Sequence, residues 1–328
     1  MRFIIYGVGA IGGTFAAALT RAGYDVLGIA RGRMLEAIRA QGGLTFRSPA
    51  FSGLVSFPVV AEPGEIGFRT GDIIFLTMKG QDTAAALEAL RAAGATSEPI
   101  VCAQNGVNNE RLALRLFPNV YGMTVMMPSD YVTPGEVICY GTPKLGMLDI
   151  GRYPHGLDDT VAGIATAMQS AGFAPFPLER IMPSKYGKLR DNLGNVLDAA
   201  IGTGGRTGPM RSGEVIEAVR AEAEAVYKAA GIDWVTVGNA DPQRKGLMEI
   251  GEVEGATRSG GSSLQSLKRG AGTIETDYLN GEIVLLGRLH GVPTPLNSAL
   301  VALGRELVAK GTKPGSMTEA ELRSRLGV

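Results

Sequence analysis

The sequence predicts an α/β protein: a parallel sheet with helices on both faces over residues 1–180, followed by an all-helical domain over residues 181–328. Three observations carry this prediction. Short apolar runs alternate with helical patterns through the first 180 or so residues, the order a parallel sheet with crossover helices requires. From about Ile181 the strand-like runs give way to long helical stretches. A chain of 328 residues also exceeds what one hydrophobic core usually organises.

The expected strands are "FIIYG", "DVLGIA", "DIIFLTMK", "PIVCAQNG" and "NVYGMTVMM", with helices over "IGGTFAAALTRAG" and "TAAALEALRAAG". Two stretches of antiparallel character, "GLTFRSPAFSGLVSFPVV" and "GEVICYGTPKLGML", are expected as hairpin insertions, and "FAPFPL" as the last strand. Beyond it the helical periodicity covers Lys185 to Ile201, Gly213 to Ala230, Ile274 to His290 and Leu296 to Lys310. The loops "GTGGRTGPMRS" and "GVPTP" separate these helices, and the tail "TKPGSMTEAELRSRLGV" reads as a loop and a short surface helix.

Composition removes several classes of function. Lys and Arg total 32, as do Asp and Glu, so nothing calls for a nucleic acid or a membrane surface as partner. No apolar run approaches the ~18 residues of a membrane span, and "MRFIIYG" is too short for the core of a secretory signal, so a cytoplasmic protein is expected. Cys102 and Cys139 lie in apolar stretches without CxxC spacing and read as core residues. His155 and His290 are the only histidines, too few and too isolated for a metal site or a catalytic triad. No metal is expected, and proton transfer falls to Lys, a carboxylic acid or Tyr.

Gly7, Gly9 and Gly12 stand in GxGxxG spacing between the first strand and the first helix. Gly7 allows the tight turn, Gly9 lets the backbone approach a pyrophosphate, and Gly12 lets helix pack close to strand. The intervening Val8, Ala10 and Ile11 share the loop, and the helix N-terminus takes the phosphate charge. The first domain is therefore expected to be a Rossmann-type dinucleotide-binding domain. After the second strand, in "IARGR", Arg31 stands where an NAD-binding protein typically offers Asp or Glu. A guanidinium can bond a 2′-phosphate that a carboxylate would repel, so NADP(H) is preferred over NAD. Arg33 is either a second contact to that phosphate or ordinary surface. Lys79 in "TMKGQDT" and Asn105 in "AQNGVNN" follow later strands and should face the cofactor, because ligands lie beyond the carboxyl ends of such strands. Asn105-Gly106 could instead serve only as a turn, but its place at a predicted strand end favours the functional role.

In the second domain, "KYGKLRDNLGNVLDAAIG" starts at Lys185. On one continuous helix Asn192 would lie about 40° to one side of Lys188 and Asn195 about 20° to the other, forming a polar stripe that reads as a ligand wall. Carbonyl reduction leaves a developing alkoxide that needs a proton and hydrogen-bond donors. Lys188, desolvated between two domains, is the leading donor, and Asn192 and Asn195 would hold substrate oxygens. Glu275 in "TIETDYLNG" begins a predicted helix, where an acidic residue often does no more than favour the helix dipole.

In order along the chain, "GVGAIG", Arg31, "TMKGQDT", "QNG", "KLRDNLGN", "SSLQSLKRGAGTIETDYLNG" and "HGVPTPLN" resemble the ketopantoate reductase (2-dehydropantoate 2-reductase) family. The resemblance runs from residue 1 to about 300. It implies a Rossmann domain plus a helical domain, NADPH as reductant, and reduction of 2-dehydropantoate to pantoate in coenzyme A synthesis. It implies Lys188 as general acid and Glu275 as the carboxylate that binds a substrate hydroxyl. Asn105 would touch cofactor and substrate, Lys79 the nicotinamide ribose, and Asn192 with Ser262 or Ser263 the substrate. Two departures stand out: Asn195 follows Asn192 by three residues where the family pattern has four, and the spacing from "SSLQ" to Glu275 is one residue longer. Both touch the substrate pocket, so another 2-oxo acid is the alternative substrate. A non-catalytic NADP sensor is the alternative outside enzymes, although a sensor needs none of Lys188, Asn192 and Glu275. A homodimer through the helical domain is also expected. If Arg31 reads the 2′-phosphate, Arg31→Ala will weaken NADPH by about 1.5–3 kcal/mol, the size of a charge-assisted hydrogen bond, and leave NADH little changed; fluorescence titration with both cofactors checks this.

Overall fold

The computed structural model describes residues 1–131, 133–202, 213–270 and 272–328. By its internal contacts the chain divides into two compact units, Met1–Lys185 with Thr236–Thr257, and Tyr186–Val235 with Arg258–Val328. The predicted loop "GTGGRTGPMRS" lies, apart from Gly202, outside the described residues.

The first unit is built on an eight-stranded sheet: β1 (Arg2–Tyr6), β2 (Asp25–Ile29), β3 (Val59–Val60), β4 (Asp72–Leu76), β5 (Ile100–Cys102), β6 (Val120–Met126), β7 (Met147–Arg152) and β8 (Ala174–Pro177). Their spatial order is 8-7-6-5-4-1-2-3. Strands β1 to β6 run parallel, β7 pairs antiparallel with β6, and β8 runs parallel to β7. Because β1 is central, both its faces are buried, and "FII" is a continuous apolar run rather than an alternating one. Phe3 and Ile5 enter the core that contains Phe15 of α1 (Ala10–Arg21) and Phe173, whereas Ile4 enters the opposite core with Leu87 and Leu90 of α3 (Thr83–Ala92). The helix α2 (Gly32–Gln41) follows β2, α4 (Asn109–Leu116) connects β5 to β6, and α5 (Asp159–Ser170) connects β7 to β8.

One of the two expected hairpins forms. Leu44–Ser48 pairs antiparallel with Phe51–Val55, and the chain then returns to the main sheet as β3. "GEVICYGTPKLGML" does not form a hairpin. Glu136–Cys139 pairs parallel with Leu44–Ser48 in a second, four-stranded sheet, Gly141–Pro143 pairs with the distant Met248–Ile250, and Met147 onward is β7. The second sheet packs on α1: a Cβ on Gly13 would stand 2.7 Å from Val137. Enclosed on both sides, α1 buries every residue from Gly12 to Leu19, which accounts for its small, apolar composition. Returning residues 236–257 are fastened to the main sheet by Arg244, which ion-pairs with buried Asp149 of β7, a carboxylate that also accepts from Ser184.

The second unit holds the latter part of α6 (Met182–Asn192), then α7 (Asn195–Ile201), α8 (Glu214–Ala230), α9 (Ser262–Lys268), α10 (Asn280–His290), α11 (Pro295–Ala309) and α12 (Glu319–Leu326). The helix expected as one piece from Lys185 to Ile201 is thus two, broken at Leu193-Gly194. The break is sustained by tertiary hydrogen bonds. Asn280 Nδ2 donates to the Leu193 carbonyl at 3.1 Å and to Asn297 Oδ1 at 3.0 Å. Asn297 in turn donates to Glu222 at 2.8 Å, and Glu222 accepts the Leu296 and Asn297 backbone N–H groups that open α11. No helix among the described residues is long and apolar enough to cross a membrane. Removing the donor to the Leu193 carbonyl leaves a buried acceptor unpaired, so Asn280→Ala will destabilise the protein by about 1–3 kcal/mol, measurable by chemical denaturation.

Candidate active site

Beyond β1 the chain turns through Gly7 at φ +109°, a backbone conformation that glycine adopts without penalty. A Cβ there would lie 2.8 Å from the Met78 backbone nitrogen, and one on Gly12 would collide with the Gly7 carbonyl oxygen and Thr77 Oγ1. At Gly9 the nearest atom to such a Cβ is Tyr131 Cδ1 at 4.0 Å. The turn is therefore packed against β4 through Gly7 and Gly12, and open at Gly9. Val8 is buried against Gly28, and Ala10 and Ile11 are half-buried. The N-terminus of α1 has no side-chain cap and no acidic residue in its first turn, so its amides and dipole favour an anion. This donor set fits a dinucleotide pyrophosphate. Thr77, which the sequence reading passed over, completes the turn: its hydroxyl lies 3.0 Å from the Tyr6 carbonyl and 2.9 Å from that of Gly7. The available signal was a threonine near the carboxyl end of the predicted strand "DIIFLTMK".

Arg31 precedes α2, and its side chain, 79% exposed, pairs with Asp82 at 3.3 Å. A surface pair of this kind contributes little and yields readily to a stronger anion. Arg33 is exposed in the first turn of α2, which carries no acidic residue. Half-buried Lys79 precedes a single 3₁₀ turn at Gly80–Asp82 beyond β4. Asn105 is half-buried in the turn beyond β5, with Gly106 at φ +83°; its carbonyl accepts from Asn109 Nδ2 at 2.9 Å. Turn chemistry and a place at the strand's carboxyl end coexist at this position.

Lys185, three residues before Lys188 on α6, has a role that the sequence reading did not give it. It is 2% exposed, its Nζ lies 2.6 Å from Oε1 of fully buried Glu110, and it donates to the carbonyls of Gln104 at 2.8 Å and Cys102 at 3.2 Å. Burial, reinforced by Glu110, raises the Cys102 thiol well above the ordinary range despite the opposing effect of Lys185, so this cysteine is no nucleophile. Both cysteines are free and buried, as expected.

In the second unit Lys188 is half-buried on α6, and Asn192, one turn on, is buried. The break at Leu193-Gly194 makes Asn195 the first residue of α7, so it does not continue the α6 stripe that a continuous helix would have given. Ser262 and Ser263 open α9, which packs on α7; Ser263 is buried and Ser262 half-buried. Glu275 is buried, but it precedes an isolated 3₁₀ turn at Thr276–Tyr278. The acidic residue in the first turn of α10 is Glu282, which removes the helix-dipole explanation for Glu275. Asn280, five residues on, bonds to the Leu193 carbonyl, so the segment carrying Glu275 is tied to the helix break between Asn192 and Asn195.

A strand order of 3-2-1-4-5-6, a glycine turn at the carboxyl end of β1 and an uncapped helix behind it define a dinucleotide-binding oxidoreductase fold. Family models describe the rest: ketopantoate reductase PanE/ApbA matches residues 3–154, and the ketopantoate reductase PanE/ApbA C-terminal model matches residues 194–308. The chain belongs to the ketopantoate reductase family and is an oxidoreductase. It is 27% identical over 318 residues to the 2-dehydropantoate 2-reductase of Archaeoglobus fulgidus, covering 93% of this chain and 97% of that one. With the Pyrococcus horikoshii 2-dehydropantoate 2-reductase it shares 28% over 324 residues, covering 95% and 100%. Among solved structures, the PanE/ApbA family ketopantoate reductase from Ralstonia eutropha JMP134 superposes with a TM-score of 0.74 at 27% identity, covering 95% of this chain and 99% of that one. D-mandelate dehydrogenase, solved with NADH and anilino(oxo)acetate, has the same fold, with a TM-score of 0.75 at 22% identity over 95% and 99% of the two chains.

With no room for a side chain at the closest approach, Gly12→Ala will destabilise the fold by about 1–3 kcal/mol, the usual size of overpacking. It will also weaken NADPH binding; a thermal melt and a fluorescence titration read the two effects separately.

Proposed function

We propose that this chain catalyses the NADPH-dependent reduction of 2-dehydropantoate to pantoate, in the cytoplasm and in support of coenzyme A synthesis. The observation that carries the reading is a half-buried lysine, Lys188, one helical turn before a buried carboxamide, Asn192, on α6, in a chain of this family. An apolar or structural face has no need of that pair. Glu275, buried and outside any α-helix, adds a carboxylate with no helix to stabilise.

The Gly7–Gly12 turn would hold NADPH, which when bound would supply the hydride for the ketone carbon. Lys188 Nζ donates a proton to the ketone oxygen as negative charge develops there, and the Asn192 carboxamide donates a hydrogen bond to the substrate. The Glu275 carboxylate accepts from a substrate hydroxyl and so fixes the carbonyl's orientation. Asn105 orients the nicotinamide end of the cofactor, Lys79 bonds its ribose, and Arg31 exchanges Asp82 for the 2′-phosphate. A serine at the start of α9, Ser262 or Ser263, holds the substrate carboxylate.

A second reading keeps the reaction and changes the substrate to another 2-oxo acid. It is favoured by one observation, the helix break that takes Asn195 out of the α6 register. Absorbance of NADPH followed with a panel of 2-oxo acids separates the two: ketopantoate as the best substrate supports the first, a clear preference for another acid the second, and no oxidation with any acid would sink both. Lys188→Ala will lower kcat by on the order of 10²–10⁴, the range for loss of a general acid, while NADPH affinity stays nearly constant. Retained turnover in that variant would place the proton donor elsewhere.

A further inference from the structure

We propose that Lys185 and Glu110 form a positioning device for Asn105, an inference that rests on the role given to Asn105 above. The turn from Gln104 to Asn109 is held on both sides of the Asn105 Cα. On one side the Gln104 carbonyl accepts from Lys185 Nζ at 2.8 Å, and on the other the Asn105 carbonyl accepts from Asn109 Nδ2 at 2.9 Å. With both flanking peptide groups pinned, and Gly106 taking the left-handed conformation, the direction of the Asn105 Cα–Cβ bond is set.

The Asn109 side of this clamp is a neutral chain: Gln104 Nε2 donates to Thr83 Oγ1 at 2.7 Å, and Thr83 Oγ1 to Asn109 Oδ1 at 2.8 Å. Its other side is a charge pair at 2.6 Å with almost no solvent. A buried pair of this kind is poor value as stabilisation, since desolvation offsets most of its attraction, but it fixes geometry well. Lys185 also reaches the carbonyls of Cys102 on β5 and, at 3.5 Å, Met123 on β6, so the last residue of β5 and the turn beyond it share one donor. A lysine serving only stability would not need to end on the carbonyl next to Asn105.

The test is a double-mutant cycle in the full chain between Asn105→Ala and the paired substitution Lys185→Met/Glu110→Gln, which leaves no orphaned buried charge. The pair is expected to lower kcat by about tenfold with 2′,5′-ADP affinity within about twofold of wild type, because the adenine end of the cofactor site is untouched. The decisive reading is coupling: Asn105→Ala should cost at least about tenfold in wild type and no more than about threefold once the pair is gone, whereas independent sites would give equal costs. Equal costs in both backgrounds would overturn the inference. If the paired variant does not fold, the cycle is run with Glu110→Gln alone, which loosens the same anchor. If wild type reduces no 2-oxo acid, the proposed function is lost. The cycle is then read on the NADPH Kd from nicotinamide fluorescence, where additive losses again overturn the positioning role.

Discussion

The first unit depends on a single close approach: the turn between β1 and α1 lies against the start of the loop beyond β4 with no space for a Cβ at Gly7 or Gly12. That contact sets where α1 begins and brings its uncapped N-terminus to the carboxyl edge of the sheet. Thr77 fastens the contact from the β4 side, its hydroxyl reaching the Tyr6 and Gly7 carbonyls while its backbone N–H also donates to Tyr6. Strand order does the rest, because β4 and β5 follow β1 on one side and their own loops, carrying Lys79 and Asn105, open at the same edge.

A chain of buried polar groups runs through each unit. Within the first, Lys185 and Glu110 join α6 and α4 to the carbonyls at the end of β5. In the second, Asn280, Asn297 and Glu222 run from the helix break to the start of α11. Each chain satisfies backbone groups that secondary structure has left over, and an unsatisfied group of this kind is costly. Interrupted secondary structure and buried polar side chains are thus one feature seen twice: the Leu193 carbonyl is released from helix and taken by Asn280.

Much of the fold was legible because local pattern and final environment agree. "FII", "IIFL" and "IVC" are continuous apolar runs, and all three lie in strands buried on both faces. The glycine spacing was legible for the same reason, since only backbone sterics are involved. Pairing between distant segments was not. Nothing in "GEVICYGTPKLGML" indicates that its first part joins the strand at Leu44, its middle pairs with Met248–Ile250, and its end is β7. For Asn195, helical periodicity on both sides concealed a break whose stabilising partner lies 87 residues away. For Glu275, the helix-dipole account failed because α10 starts six residues later than the apolar pattern implies.

By itself the sequence determined the class of fold, the nucleotide turn, and the family to which Lys188, Asn192 and Glu275 point. These follow from short-range sterics and from residue chemistry at fixed spacing. Only the tertiary structure decided that Lys185 is a buried anchor and not a surface charge, that Arg31 already has Asp82 for a partner, and that Lys188 and Asn195 belong to different helices. The physical reason is common to all three: burial, ion pairing and helix termination depend on atoms far away in the chain, about which local sequence carries no information.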